Sequence, residues 1–134
     1  MAASAAGQYT RRLAWQGARQ VGTKIPGIGG RNGQYLILRL ELSRFVEGDL
    51  DAIAGYIAKD NPAHAVSFIR EIRAQIGAIG KNPLLYRLRP EIGADARMAF
   101  AGQYAILFRV MDKVVRIERV VYGGRDLLAV FKNS

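Results

Sequence analysis

Seven arginines, Arg87, Arg89, Arg97, Arg109, Arg116, Arg119 and Arg125, fall within 39 residues of the C-terminal half. Arginine grips phosphate or carboxylate through a planar two-point contact. Such a set points to nucleic acid, to a nucleic-acid machine or to an acidic protein partner, with a solvated basic surface as the plain alternative. Arg87, Arg89 and Arg97 precede the last hairpin, Arg109 lies within it, and Arg125 follows Gly123-Gly124 at its end. A sheet can bring these five together as a partner-binding group.

The other chemistry-bearing residues are few. There is no cysteine, which removes disulfides, zinc knuckles and thiolate nucleophiles. The single histidine, His64, stands in the first turn of a predicted helix with no Asp, Glu, Ser or Cys motif around it, so a capping or surface role is the better reading. Asp49, Asp51, Asp60 and Glu71 sit on predicted helices, where the helix dipole and solvation account for them. No metal or cofactor is expected.

The chain of 134 residues is the length of one domain, and half of its residues are apolar, enough for a core. The net charge is +9. Residues 1–34 hold five cations and no acid; fifteen cations and eleven acids remain in residues 35–134, a net charge of +4. Those first residues are rich in Gly, Ala and Arg, lack periodicity, and read as a flexible extension. The stretch Gly27-Ile28-Gly29-Gly30-Arg31-Asn32-Gly33 looks like a dinucleotide loop, but its third glycine is one place late and no credible strand precedes it, so it reads as linker. No run of 18 apolar residues is available to span a membrane, and no apolar signal region opens the chain, so a cytoplasmic protein is expected.

From Tyr35 the pattern sharpens. Leu36, Leu38, Leu40 and Leu42 alternate with Ile37, Arg39 and Glu41, which predicts a half-buried strand. After Ser43, a plausible N-cap, Val46, Leu50, Ile53 and Ile57 recur at helical intervals, with Glu47, Asp49 and Asp51 early in the helix. Asn61-Pro62 caps and opens a second helix, whose stripe of Ala65, Phe68, Ile69, Ile72, Ile76 and Ile79 ends at Gly80-Lys81-Asn82-Pro83. The last third reads as strands: a short one at Ala96–Phe100, then Tyr104–Val110 turning through Met111-Asp112-Lys113 into Val114–Val121, with a short segment from Asp126 to Phe131. The sum is an α+β domain of β-α-α-β-β-β order, a helix hairpin packed on a small, mostly antiparallel sheet.

Several segments, in this order and spacing, resemble the ParE/RelE superfamily of bacterial toxins. They are Asp49-Leu50-Asp51-Ala52-Ile53 with Tyr56-Ile57-Ala58, Asn61-Pro62-Ala63, Asn82-Pro83 through Arg87, Gly102–Val110 and Val120-Val121-Tyr122-Gly123-Gly124-Arg125-Asp126-Leu127. The terminal Gly-Gly-Arg-Asp and the Asn-Pro between the helices look like the ParE branch. The resemblance covers about Leu36 to Phe131 and implies a toxin domain over residues 35–134. It also implies neutralisation by a cognate ParD-like antitoxin that carries a ribbon-helix-helix DNA-binding part, and inhibition of DNA gyrase by binding, with replication blocked.

The RelE branch instead implies ribosome-dependent mRNA cleavage, which needs a base, cations around the phosphate and a proton donor. Aligned on Tyr104, the positions that carry this chemistry in RelE-like toxins fall on Ala96, Met98, Ala105, Arg125 and Phe131. Only Arg125 retains a suitable group. A one-residue slip recruits Arg97, yet Arg97 and Arg125 together supply charge and no base. These residues favour a toxin that works by binding, with an altered ribonuclease as the alternative and an inert, antitoxin-binding regulator as a third reading. The antitoxin's acidic or amphipathic tail is expected on the helix hairpin and the arginine-bearing sheet.

Overall fold

The computed structural model describes residues 19–24 and 35–133. In chain order the elements are β1 (Arg19–Lys24), β2 (Tyr35–Leu42), α1 (Val46–Ala58), α2 (Pro62–Lys81), a 3-10 turn (Pro83–Leu85), β3 (Ala96–Ala101), β4 (Tyr104–Met111), β5 (Val114–Tyr122) and α3 (Leu127–Lys132). They make an α+β fold in which the expected β-α-α-β-β-β series is complete. The sheet order is β1-β2-β5-β4-β3. Among the described residues only the β2/β5 pair is parallel; the other pairs are antiparallel.

The helices form where apolar spacing and capping agree. Asn61 caps α2 by accepting from the His64 backbone N–H at 3.1 Å, and Pro62 occupies the first turn, where a missing N–H costs nothing. The α2 stripe of Ala65, Phe68, Ile69, Ile72, Ile76 and Ile79 is buried with Leu50 and Ile53 of α1 against Leu38, Leu40, Ile106, Phe108, Val115 and Ile117 of the sheet. The β4/β5 hairpin turns on Asp112 and Lys113, both with positive φ, the conformation that matches the twist of the flanking strands. On the opposite sheet face a second cluster gathers Ile92, Ala96, Ala105, Leu107 and Val121 beneath Val130 and Phe131 of α3.

Three local expectations change. Ser43 is not the N-cap of α1, whose cap is Phe45; it is buried, and its hydroxyl donates to the Glu118 carbonyl at 2.5 Å, joining the end of β2 to β5. The segment Asp126–Phe131, to which the sequence assigned no element, enters a helix: Asp126 accepts from the Ala129 N–H and caps α3. Within residues 1–34, Arg19–Lys24 is a strand, paired antiparallel with Tyr35–Leu40. A strand therefore does precede the glycine-rich stretch, which itself lies outside the described residues, but a second strand follows it rather than the helix a dinucleotide loop requires.

Core position sets mutational cost. Phe108 is fully buried at the centre of the sheet, whereas Leu128 is 52% exposed. Phe108→Ala is expected to lower unfolding stability by about 3–5 kcal/mol and Leu128→Ala by less than about 0.5 kcal/mol. Urea unfolding of the two variants checks this, and equal midpoints would contradict the packing described.

Candidate functional site

β5 is longer than its parallel neighbour. β2 pairs with it only as far as Leu42 opposite Ile117, after which the chain leaves the sheet for α1. The backbone of β5 beyond Ile117 would thus face α1 with unmet hydrogen bonds. Asp49, in the first turn of α1, meets that need: its carboxylate accepts from the Val120 N–H at 3.0 Å and takes both ends of the Arg119 guanidinium at 2.8 Å. The Arg119 guanidinium also lies 4.9 Å from the Phe45 ring centre. The hydrogen bond to Asp49, more than its charge, raises the Arg119 pKa further above its ordinary value, against the opposing effect of burial. The solvent half of the reading of Asp49 is therefore overturned, because a partner 70 positions away holds it, while its place in the first turn of α1 stands.

A bulge accompanies this clamp. Between Leu107 and Phe108 the β4/β5 register shifts by one, so that Phe108 opposes Ile117 while Leu107 opposes Arg119, and Glu118 is the extra residue. Glu118 is buried, with Arg116 Nε donating at 2.9 Å and Arg109 Nε at 2.8 Å on its other oxygen, the latter out of line for a hydrogen bond and hence an ionic contact. The shift also brings Tyr104 opposite Tyr122, their ring centres 6.2 Å apart and edge-on.

A groove of about 200 Å³ opens between α1 and this end of the hairpin. Asp49, Ala52, Ile53 and Tyr56 form one wall; Tyr104, Val120, Val121 and Tyr122 form the other; Arg125 stands at its end. Tyr56 is 68% exposed and Tyr122 51%. Burial, and secondarily the neighbouring Tyr56 and Tyr122, push the Tyr104 phenol above its ordinary pKa, so it remains a neutral hydrogen-bonding group. Gly123 and Gly124 aim Arg125: a Cβ on Gly124 would lie 2.4 Å from the Tyr122 ring, and one on Gly123 2.9 Å from Phe100. A larger residue at either place would have to push these rings aside.

The five arginines singled out from sequence have different surroundings. Arg109 is held by Glu118 and stacks 4.2 Å from the Phe131 ring centre, on the sheet face away from α1 and α2. Arg89 donates to Glu91 at 2.6 Å, which lowers the Glu91 pKa, and Arg97 donates to the Tyr86 carbonyl. Arg87 and Arg125 are exposed, and the side chain of neither makes an ion pair or hydrogen bond among the described residues. Arg97 pairs across the sheet with Phe108, whereas Arg125 follows the Tyr104/Tyr122 pair. Four residues of β3 separate those levels, roughly 13 Å along the strand, so the two arginines stand at different ends. Among the described residues no group of three or more His, Asp or Glu is placed to hold a metal ion. Nor is any helix there long and apolar enough to cross a membrane. Sequence reasoning gave the three tyrosines no site role and counted Arg119 among the seven arginines without placing it in the partner-binding group; the regular spacing of β4 and β5 hints at a Tyr104/Tyr122 pair only if a bulge is inserted.

A family described as the ParE toxin of the type II toxin-antitoxin system parDE matches residues 40–127. Among solved structures, a chromosomal ParDE toxin-antitoxin system from P. aeruginosa contains a chain similar in fold, with a TM-score of 0.57 and 23% identity. The match covers 62% of this chain and 92% of that one. Comparison with curated proteins gives no match.

The clamp makes a thermodynamic prediction. Asp49→Ala strands a guanidinium and a backbone N–H and is expected to cost about 3 kcal/mol. The double variant Asp49→Ala/Arg119→Ala should cost clearly less than the two single variants added together. Strict additivity in urea unfolding would show that the pair is not coupled.

Proposed function

The chain belongs to the ParE toxin family of type II toxin-antitoxin systems, and from that premise we propose that it is a toxin that inhibits DNA gyrase by binding it, blocks replication and carries out no bond chemistry of its own. A cognate antitoxin partner follows from the family. In this reading the antitoxin is ParD-like, holds DNA through a ribbon-helix-helix part and silences the toxin by covering its surface in the cytoplasm.

The observation that carries the binding reading is what occupies the positions where an RNA-cleaving relative needs proton-transfer groups. Ala96 and Ala105 are buried small residues, Met98 packs in the α3-side cluster, and Phe131 is buried against Arg109 with no hydroxyl to exchange a proton. Arg97 is engaged with a backbone carbonyl at a distance from Arg125. Cations without a base stabilise charge but cannot deprotonate a 2′-hydroxyl. The tyrosine-lined groove, with the exposed Arg125 at its end, is built of the residue types that dominate protein interfaces.

The test uses one antitoxin-free sample in two reactions, gyrase supercoiling and DNA cleavage in one, ribosome-programmed mRNA in the other. Accumulated cleaved DNA with intact mRNA is the expected result. Cut mRNA with unaffected gyrase would reverse the assignment and make Arg97 and Arg125 candidates for catalysis.

A further inference from the structure

Arg125 also lines a second cavity, of about 310 Å³, which lies apart from the tyrosines. Its walls are Arg119 on β5, Arg125 and Asp126 after the strand, and Ala129, Val130 and Asn133 along α3 and at its end. Most of its donors are unspent. Asp49 takes Nε and Nη2 of Arg119, and Nη1 of that guanidinium has no partner among the described residues. The Arg125 guanidinium and the Asn133 side-chain amide have none there either, and both residues are exposed. Asp126, the one acid of the lining, turns an oxygen to the Ala129 N–H at 3.3 Å. Arg44 stands next to this set: its guanidinium and that of Arg119 each lie 4.9 Å from the Phe45 ring centre, and no acid among the described residues meets it. Arg44, Arg119 and Arg125 thus face only Asp49 and Asp126, which leaves a surplus of one positive charge.

We propose that this cavity holds one phosphodiester of a nucleic-acid strand, with its two free oxygens on the Arg125 guanidinium and on Nη1 of Arg119 and with the Asn133 amide as a third donor. Arginine meets phosphate oxygens in the plane of its guanidinium, and such charge-assisted bonds are the strong ones. A surplus of one charge matches the single charge of a diester, whereas a nucleoside triphosphate would set several negative charges beside Asp126. The space lies at the bottom of the roughly 300–1,000 Å³ range of sites that enclose a small molecule and has room for a phosphate with its sugar. No aromatic ring lines it for a base to stack on, so the contact is to the backbone and carries no sequence preference. Asp49 fixes the Arg119 guanidinium before any ligand arrives, so little side-chain freedom is lost there on binding. The inference deepens the gyrase reading and rests on it only for the source of the strand, the DNA that gyrase holds, which the toxin then grips at one phosphate while it binds the enzyme.

Binding of a fluorescent duplex oligonucleotide to the full-length chain, followed by anisotropy over a range of salt concentrations, tests the site in Arg125→Gln, Asn133→Ala and Lys81→Gln, each checked to melt as the parent does. Arg125→Gln is expected to weaken binding about tenfold and to make the slope of log affinity against log salt shallower by about one. Asn133→Ala, which removes no charge, should weaken binding about threefold with the slope kept. Lys81→Gln, which removes an exposed cation at the end of α2, should stay near the parent. Equal losses in Arg125→Gln and Lys81→Gln with Asn133→Ala unchanged would show diffuse attraction and overturn the site. A mononucleotide bound as tightly as the duplex would give the cavity to a free metabolite and overturn it too. Gyrase separates this inference from the reading beneath it, since Arg125→Gln should trap less cleaved DNA than the parent. A parent chain without effect on gyrase but with the slope difference intact would overturn the gyrase reading and leave the phosphate site standing. Full trapping by Arg125→Gln with an unchanged slope would do the reverse.

Discussion

The sheet is finished by a side chain. β5 continues past the point where β2 turns away, and the carboxylate of Asp49 stands in for the missing strand by accepting the Val120 N–H and gripping Arg119. An unpaired buried N–H is costly and a lone guanidinium half out of water more so. One aspartate in the first turn of α1 removes both problems and fixes the helix hairpin on the sheet. Ser43 acts just before it, tying the chain as it leaves β2 to the Glu118 carbonyl. The distance between α1 and β5, and hence the width of the tyrosine groove, follows from these contacts.

The same region explains where the positive charge of the domain goes. The bulge at Glu118 puts two consecutive charged residues on β5 to use, Glu118 neutralising Arg109 and Arg116 on one side and Arg119 bound to Asp49 on the other. Arg109 is further shielded by Phe131. A count of arginines along the chain thus overstates the surface available to a partner, and Arg125 stands out because it follows Gly123-Gly124 past the end of β5 with no acid among the described residues paired to it. A toxin that works by contact rather than by cleavage needs a shaped and charged surface more than a tuned base, which is consistent with this distribution.

Much of the fold was legible because its signals are local. The alternation of Leu38 and Leu40, the α2 stripe and the Asn61-Pro62 cap each depend on residues a few positions apart, and each appears where expected. Ser43 and Asp49 were misread for the same reason: both are good helix-start residues, and their partners Glu118 and Arg119 lie 75 and 70 positions away. The Tyr104/Tyr122 pairing was hidden by the bulge, since counting back from the Asp112-Lys113 turn in strict register sets Tyr104 opposite Val121. The short segment after Gly124 lacked a helical stripe long enough to read, and its helix depends on the Asp126 cap and on burial of Val130 and Phe131 against the sheet.

The central claim is that Asp49 completes β5 and so shapes the surface beside it. Amide hydrogen exchange of Val120, followed in the native chain and in Asp49→Ala, tests it most directly. The account predicts that the Val120 amide is protected in the native chain and exchanges much faster in the variant, while amides paired between β4 and β5 near the Asp112-Lys113 turn keep their protection. Equal protection of Val120 in both proteins would contradict it, because the strand end would then be closed by something other than this carboxylate.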